Sequence, residues 1–251
     1  MKSYPVAIQL WSVREEAKKD FISVLKKIAE YGYHGVEFAG YHGHTPRELK
    51  KVTQDLGLQV PSIHGPIPDE KNIGEMVEAA AALGVTRFVT GLRAENFATL
   101  EETLKSAERF EQTAALLKKH GLSLGIHNHG YEFDKRFNGK LPHEYLSEKA
   151  PSVFLQIDTY WTAYGGADPV EAVNRCKGRV PLLHVKDGPI EKGMPNVPVG
   201  SGRMDWPPIM SAAEKAGVEW LIVEFDTCGT DMMEAVRQSR DFLVSKGWAK
   251  K

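Results

Sequence analysis

Cysteine is nearly missing from this chain of 251 residues. Only Cys176 and Cys228 occur, far apart and forming no CxxC pair. That spacing excludes a disulfide framework or a thiolate metal knuckle, and the two read as free thiols in a reducing compartment. An excess of either charge is missing as well, with 32 lysines and arginines against 33 aspartates and glutamates, a net of −1. Nothing in that balance is available to neutralise phosphates, so no nucleic-acid partner is expected. No run of about 18 apolar residues occurs, which argues against a membrane partner. Met1-Lys2-Ser3-Tyr4-Pro5 passes into a strand-like run without a signal-peptide pattern, and a soluble cytoplasmic protein is expected. Nucleophile elbow, P-loop and HExxH patterns are absent. Gly200-Ser201-Gly202-Arg203-Met204-Asp205-Trp206 is not a dinucleotide fingerprint, because Asp205 stands where the third glycine belongs.

What is present is ordinary globular chemistry with a strong punctuation. The hydrophobic fraction is 42%. A chain of this length buries ~70–75% of its extended surface without staples, so any metal must serve chemistry rather than folding. A charged amphipathic segment, a glycine and a short apolar run recur at Gly32, Gly57, Gly84, Gly121 and Gly217. Glycine just past a helix closes the last turn in the left-handed conformation. Thr45-Pro46-Arg47-Glu48 and Asp168-Pro169-Val170-Glu171 mark helix starts, each with an N-cap, a proline and a glutamate. Phe21, Leu25, Ile28 and Ala29 share one helical face, as do Leu104, Ala107, Phe110, Ala114 and Leu117.

Eight apolar runs alternate with these helices: Val6–Leu10, Val36–Ala39, Val60–His64, Phe88–Thr90, Leu124–His129, Phe154–Asp158, Leu182–Lys186 and Leu221–Phe225. Eight βα units without a linker predict an α/β fold, a single (β/α)8 TIM-barrel domain over residues 1–251. A doubly wound open sheet is the alternative.

Strand residues two apart share a face, so the polar positions can be tested for pointing inward together. Gln9 pairs with Trp11, Ser62 with His64, His127 with His129, Gln156 with Asp158, His184 with Lys186, and Glu224 with Asp226; Glu37 shares its face with Gly35 and Ala39. Nearly all sit at C-terminal strand ends, where barrel active sites are built. Asp158, His184 and Glu224 come from three successive strands, with His127 on a fourth. Their nitrogen and carboxylate donors suit a divalent cation such as Mn, Mg, Co or Zn. Which of His127, His129 and Glu132 would join the shell is left open. An ion-pair cluster compensated by Lys186 is the structural alternative. Beside a cation, Lys186 is expected to have a lowered pKa and to serve as acid, base or oxyanion partner. Glu37 and His64 are placed to hold substrate hydroxyls, Gln9 lies beside them, and Trp11 and Trp161 are placed to wall a sugar ring. Arg203 and its loop amides are candidates for a hydroxyl or phosphate, and Asp205 reads as the N-cap of the next helix.

The ordered set Gln9-Leu10-Trp11, Gly35-Val36-Glu37, Ser62-Ile63-His64-Gly65, His127-Asn128-His129, Ile157-Asp158-Thr159, Leu183-His184-Val185-Lys186-Asp187, Gly200-Ser201-Gly202 and Val223-Glu224 resembles the xylose isomerase-like TIM-barrel superfamily of sugar phosphate isomerases and epimerases. The likeness covers nearly the whole chain. It implies a divalent metal held by residues of the fifth to eighth strands, with Asp158, His184 and Glu224 as three of the ligands here and His127 at the position of the first. Many relatives carry glutamate where this chain has His127. In several epimerases that glutamate and the last one form an acid/base pair, so the departure directs attention to Glu132, His129 and Lys186 beside Glu224.

The expectation is a metal-dependent isomerase or epimerase of a small sugar or keto-sugar, working through proton abstraction α to a carbonyl. A dehydratase is the nearest alternative, because the inosose dehydratase branch has a similar histidine-rich segment and lysine. An endonuclease-like protein and a non-catalytic sugar-binding barrel stand further off. A homo-oligomer is left open.

Overall fold

The computed structural model describes residues 2–251. Eight parallel strands form one sheet: β1 Val6–Gln9, β2 Gly35–Glu37, β3 Ile63–His64, β4 Arg87–Thr90, β5 Ser123–His127, β6 Phe154–Asp158, β7 Leu182–Val185 and β8 Trp220–Val223. Their order is β2-β1-β8-β7-β6-β5-β4-β3. The β2–β3 seam is closed by bridges between Gly35 and Gln59 and between Phe38 and Ile63. Helices fill the crossovers, so the chain is the expected (β/α)8 barrel.

Several strands stop one or two residues before the expected polar tips, because those tips leave the ladder to face the barrel mouth. The third is shortest. Pro61 has no N–H to give to a ladder, and regular pairing begins only at Ile63.

All five punctuating glycines have φ between +69° and +84°. Thr45 and Glu48 make a reciprocal capping box, and the Asp168 carboxylate accepts from the Val170 N–H at 2.7 Å. Asp205 takes the expected N-cap position, but its side chain makes no capping hydrogen bond. The preceding loop is held instead by Asp187, whose buried carboxylate accepts from the N–H groups of Gly188, Gly200 and Met204 and from Trp206 Nε1.

Outward-facing Leu183, Val185, Val223 and Phe225 enter the large core between barrel and helices. Inward-facing Ala7, Val89, Leu182 and Ile222, with Phe154 and Trp220, fill the lower barrel. That apolar plug leaves the upper interior to polar groups. One expected core residue is displaced. Leu104 is exposed, and Thr103, bonded to the Thr99 carbonyl at 2.9 Å, occupies the buried stripe.

His143 is buried against Phe133, with ring centroids 4.7 Å apart, and its Nδ1 has no hydrogen-bond partner. Burial, reinforced by Arg175 and Arg179, pushes its pKa down from 6.5 to about 3. The unfolded chain therefore binds the extra proton first, so stability is lost as pH falls from the ordinary histidine value toward the folded one. At about pH 4.5 the loss is ~2–3 kcal/mol. His143→Phe is expected to remove this part of the acid limb, measured as a smaller fall in urea midpoint between neutral and mildly acidic pH.

Candidate metal centre

Four side chains converge at the C-terminal mouth. His127 ends β5, Asp158 ends β6, His184 lies in β7, and Glu224 follows β8. One ligand atom from each lies within 4.8 Å of all the others, and all four residues are buried. Register explains the convergence, since His127 pairs with Gln156, and Asp158 pairs with His184.

Hydrogen bonds fix which nitrogen each imidazole presents. Gln156 gives its amide N–H to Glu37 Oε2 at 2.6 Å, which leaves its Oε1 to accept from His127 Nδ1 at 3.1 Å. The basic nitrogen of His127 is then Nε2. Glu37 Oε1 lies 3.2 Å from His184 Nε2 and accepts its proton, so His184 presents Nδ1. That Nδ1 stands 3.1 Å from Glu224 Oε2.

That nitrogen and the carboxylate oxygen can approach so closely only with a proton or a cation between them, and Lys186 adds positive charge beside Glu224. Burial alone would lower the His184 pKa, but Glu224 and Glu37 outweigh it and hold it up to about 10. Asp158 supplies a second sign of the same demand. Its Oδ1 accepts from the Trp161 N–H at 2.8 Å, whereas the buried Oδ2 accepts no hydrogen bond among the described residues and has Lys186 Nζ at 3.2 Å. Burial, partly offset by Lys186, raises the Asp158 pKa to about 6. Two imidazole nitrogens and two carboxylates, one of which has an oxygen that accepts no hydrogen bond, fit a borderline divalent cation.

Lys186 is wholly buried, with Nζ 3.2 Å from Asp158, 2.9 Å from Glu224 and 2.5 Å from Asp226. Its pKa is expected to fall beside a cation; set by the protein groups alone, it shifts the other way. Burial does act to lower it, but the three carboxylates prevail and hold the ammonium protonated above the ordinary lysine value. Lys186 is thus a buried cation held among three carboxylates. Glu224 is kept ionised, because Lys186 and His184 overcome the effect of burial.

His129 lines the cavity at the mouth, about 240 Å³, together with Gln9, Trp11, His64, His127, Glu224 and Asp226. Tyr131 gives its hydroxyl proton to the Leu92 carbonyl, so its 2.9 Å contact with His129 Nδ1 must have the imidazole as donor. That leaves Nε2 of His129 unprotonated. Burial, then Lys186, lowers its pKa to about 4.

Other expected contacts are displaced. Glu37 is fully buried, and its oxygens are taken by Gln9, Ser62, Gln156 and His184, so it has no capacity left for substrate hydroxyls. Glu132 lies outside the cavity lining. It is wholly buried, with Oε2 accepting from the His129 N–H at 2.9 Å, and burial pushes its carboxyl well above the usual range. Arg203 is exposed and away from the cavity lining, on the loop that Asp187 ties down. Trp161 is half-buried, with its ring 5.3 Å from Lys186 Nζ and 6.1 Å from the His129 ring. Trp11 is 48% exposed at the cavity edge.

Gln156 and Asp226 were not among the expected site residues. Both share a strand face with a chosen acid, Gln156 with Asp158 and Asp226 with Glu224, so alternation alone contained the signal. Asn128 is a third: it holds the Asp158 backbone through both amide atoms, at 3.0 and 3.2 Å.

No curated protein sequence matches the chain. Among solved structures, a sugar phosphate isomerase/epimerase from Parabacteroides distasonis is 25% identical, with a TM-score of 0.80 over 100% of this chain and 96% of that one. The IolI protein with a zinc atom is 18% identical, TM-score 0.75, covering 96% of this chain and 97% of its own. An L-ribulose 3-epimerase is 18% identical, TM-score 0.71, covering 98% and 94%. The last two share the fold. The sequence profile of the family described as Xylose isomerase-like TIM barrel matches residues 25–246. With that profile spanning most of a chain folded as the barrel above, the protein belongs to the xylose isomerase-like TIM-barrel family.

Proposed function

We propose that the protein is a metal-dependent isomerase or epimerase of a keto-sugar. The observation that carries this is the His184–Glu224 pair, an imidazole nitrogen and a carboxylate oxygen 3.1 Å apart with Asp158 and His127 beside them. His127 through Nε2, Asp158 through Oδ2, His184 through Nδ1 and Glu224 would hold the cation. Bound there, the cation supplies charge neutralisation at a substrate carbonyl oxygen, which makes the α-hydrogen acidic.

Glu224 is the ionised carboxylate at the cavity wall and takes the α-proton. The proton held on the Glu224 carboxyl is then returned to the neighbouring carbon, while His129, neutral and basic at Nε2, stands at the same cavity and accepts a hydrogen bond from a substrate hydroxyl. Lys186 keeps its proton and balances charge that develops beside it. Trp11 offers an aromatic surface to the C–H face of a sugar ring.

A second reading, elimination, is favoured by one observation. The β5 position holds His127 rather than a carboxylate, while the Lys186 ammonium stands 2.9 Å from Glu224. In that case Glu224 takes the α-proton and Lys186 protonates the departing β-hydroxyl.

Incubating the Mn²⁺-supplemented protein in D₂O with 2-keto-inositol and 3-keto-glucose, followed by mass spectrometry, tests both. Isomerase chemistry predicts deuterium in product at the substrate's composition, with Glu224→Gln silent. A product lacking the elements of water and absorbing in the ultraviolet would select elimination. No exchange with any keto-sugar would count against both.

A further inference from the structure

Resting on the reading that the reacting end of a sugar occupies the cavity at the strand tips, we infer that the substrate carries an apolar aglycone about the size of one aromatic ring, not a phosphate. A second cavity, about 480 Å³, opens beside the first and shares Trp11, Ala39 and His64 with it. Its walls come from the β2 and β3 ends and the helix Ile73–Leu83. Ile63, Pro66, Met76, Ala79 and Phe88 make them largely apolar, and Tyr41, Asn72 and Glu75 supply its polar groups.

Three features tie this groove to the substrate. The mouth cavity, at about 240 Å³, is smaller than the ~300–1,000 Å³ usual for ligand sites, and the groove is its direct continuation. Trp11 stands 48% exposed at the junction, held by the Arg14 guanidinium 4.5 Å from its ring centroid. His64 belongs to both cavities, whereas Met76 and Phe88 line only the groove. Among the described residues no lysine or arginine lines either cavity, whereas Glu75, Glu224 and Asp226 do. A phosphate would meet only like charge there.

Calorimetry on the Mn²⁺-supplemented protein tests the assignment. The probes are phenyl and methyl glycosides of glucose, galactose and xylose in both anomers, with glucose 6-phosphate. At least one phenyl glycoside is expected to bind ~10–100-fold tighter than its methyl counterpart, since only the former buries a ring. Ala79→Phe, which fills the groove, and Met76→Gln, which makes its wall polar, should each shrink that preference to about threefold or less. Both should keep the Mn²⁺-induced rise in melting temperature. Equal binding of phenyl and methyl probes, no binding of any phenyl glycoside, tighter binding of glucose 6-phosphate, or a preference surviving in both variants overturns the inference. A phenyl preference lost in both variants, in a protein that Mn²⁺ does not stabilise, upholds the groove and removes the metal reading. Stabilisation by Mn²⁺ with no phenyl preference does the reverse.

Discussion

Asp158→Asn is expected to weaken binding of a divalent cation by at least about 100-fold, above the ~10–100-fold lost when an outer-shell partner is removed. Turnover should fall by ~10²–10³ or more, the range seen when one charge-stabilising group is deleted. The amide keeps the Oδ1 acceptor that caps the helix Thr159–Tyr164 through the Trp161 N–H. It replaces Oδ2, 3.2 Å from Lys186 Nζ, with a group that cannot hold a cation. Since the helix cap is kept and the donor oxygen lost, binding should fail while the variant still unfolds cooperatively in chelator. Calorimetric Mn²⁺ titration paired with a thermal melt in chelator separates the two. A variant that binds Mn²⁺ as tightly as the parent would remove Asp158 from the ligand set.

Glu37→Leu is expected to have the next largest effect, although Glu37 lies outside the cavity lining. Its carboxylate is the common acceptor for Gln9, Ser62, Gln156 and His184. Through His184 directly, and through Gln156 to His127, it sets which nitrogen each imidazole turns toward the cation. Removing it leaves buried donors unpaired and should cost ~3–5 kcal/mol of stability, as for breaking a buried charged pair. Cation affinity should fall ~10–100-fold through misaligned histidines. Glu37→Gln retains one acceptor oxygen and should lie between the two, by urea denaturation and Mn²⁺ titration. Unchanged affinity in the leucine variant would show that the histidines are oriented by something else.

Much of this is legible in the sequence. Glycines at helix ends and the eight apolar runs specify the barrel because a period of two, a period of 3.6 and a left-handed stop are local properties. Strand alternation likewise carried Asp158, His184, Glu224 and His127 to one face, and register brought them together. Alternation gives a side, however, and not a depth. Glu37 shares the inward face with the site, yet lies below the cavity, where protein donors consume its oxygens. Glu132 sits past a strand end in a 3-10 turn whose direction the sequence pattern does not determine. The sign of the Lys186 shift depended on Asp158, Glu224 and Asp226 all reaching one ammonium. Asp187 belongs to the same class, because its four donors come from a loop that strand parity does not describe.

The most direct test is the metal content of wild-type protein dialysed against Mn²⁺ or Zn²⁺ and then freed of loose ions. One ion per chain, removed by chelator with a fall in melting temperature and absent from Asp158→Asn, is the predicted result. Protein that retains no ion, or whose melting is the same with and without the metal, would contradict the centre formed by His127, Asp158, His184 and Glu224.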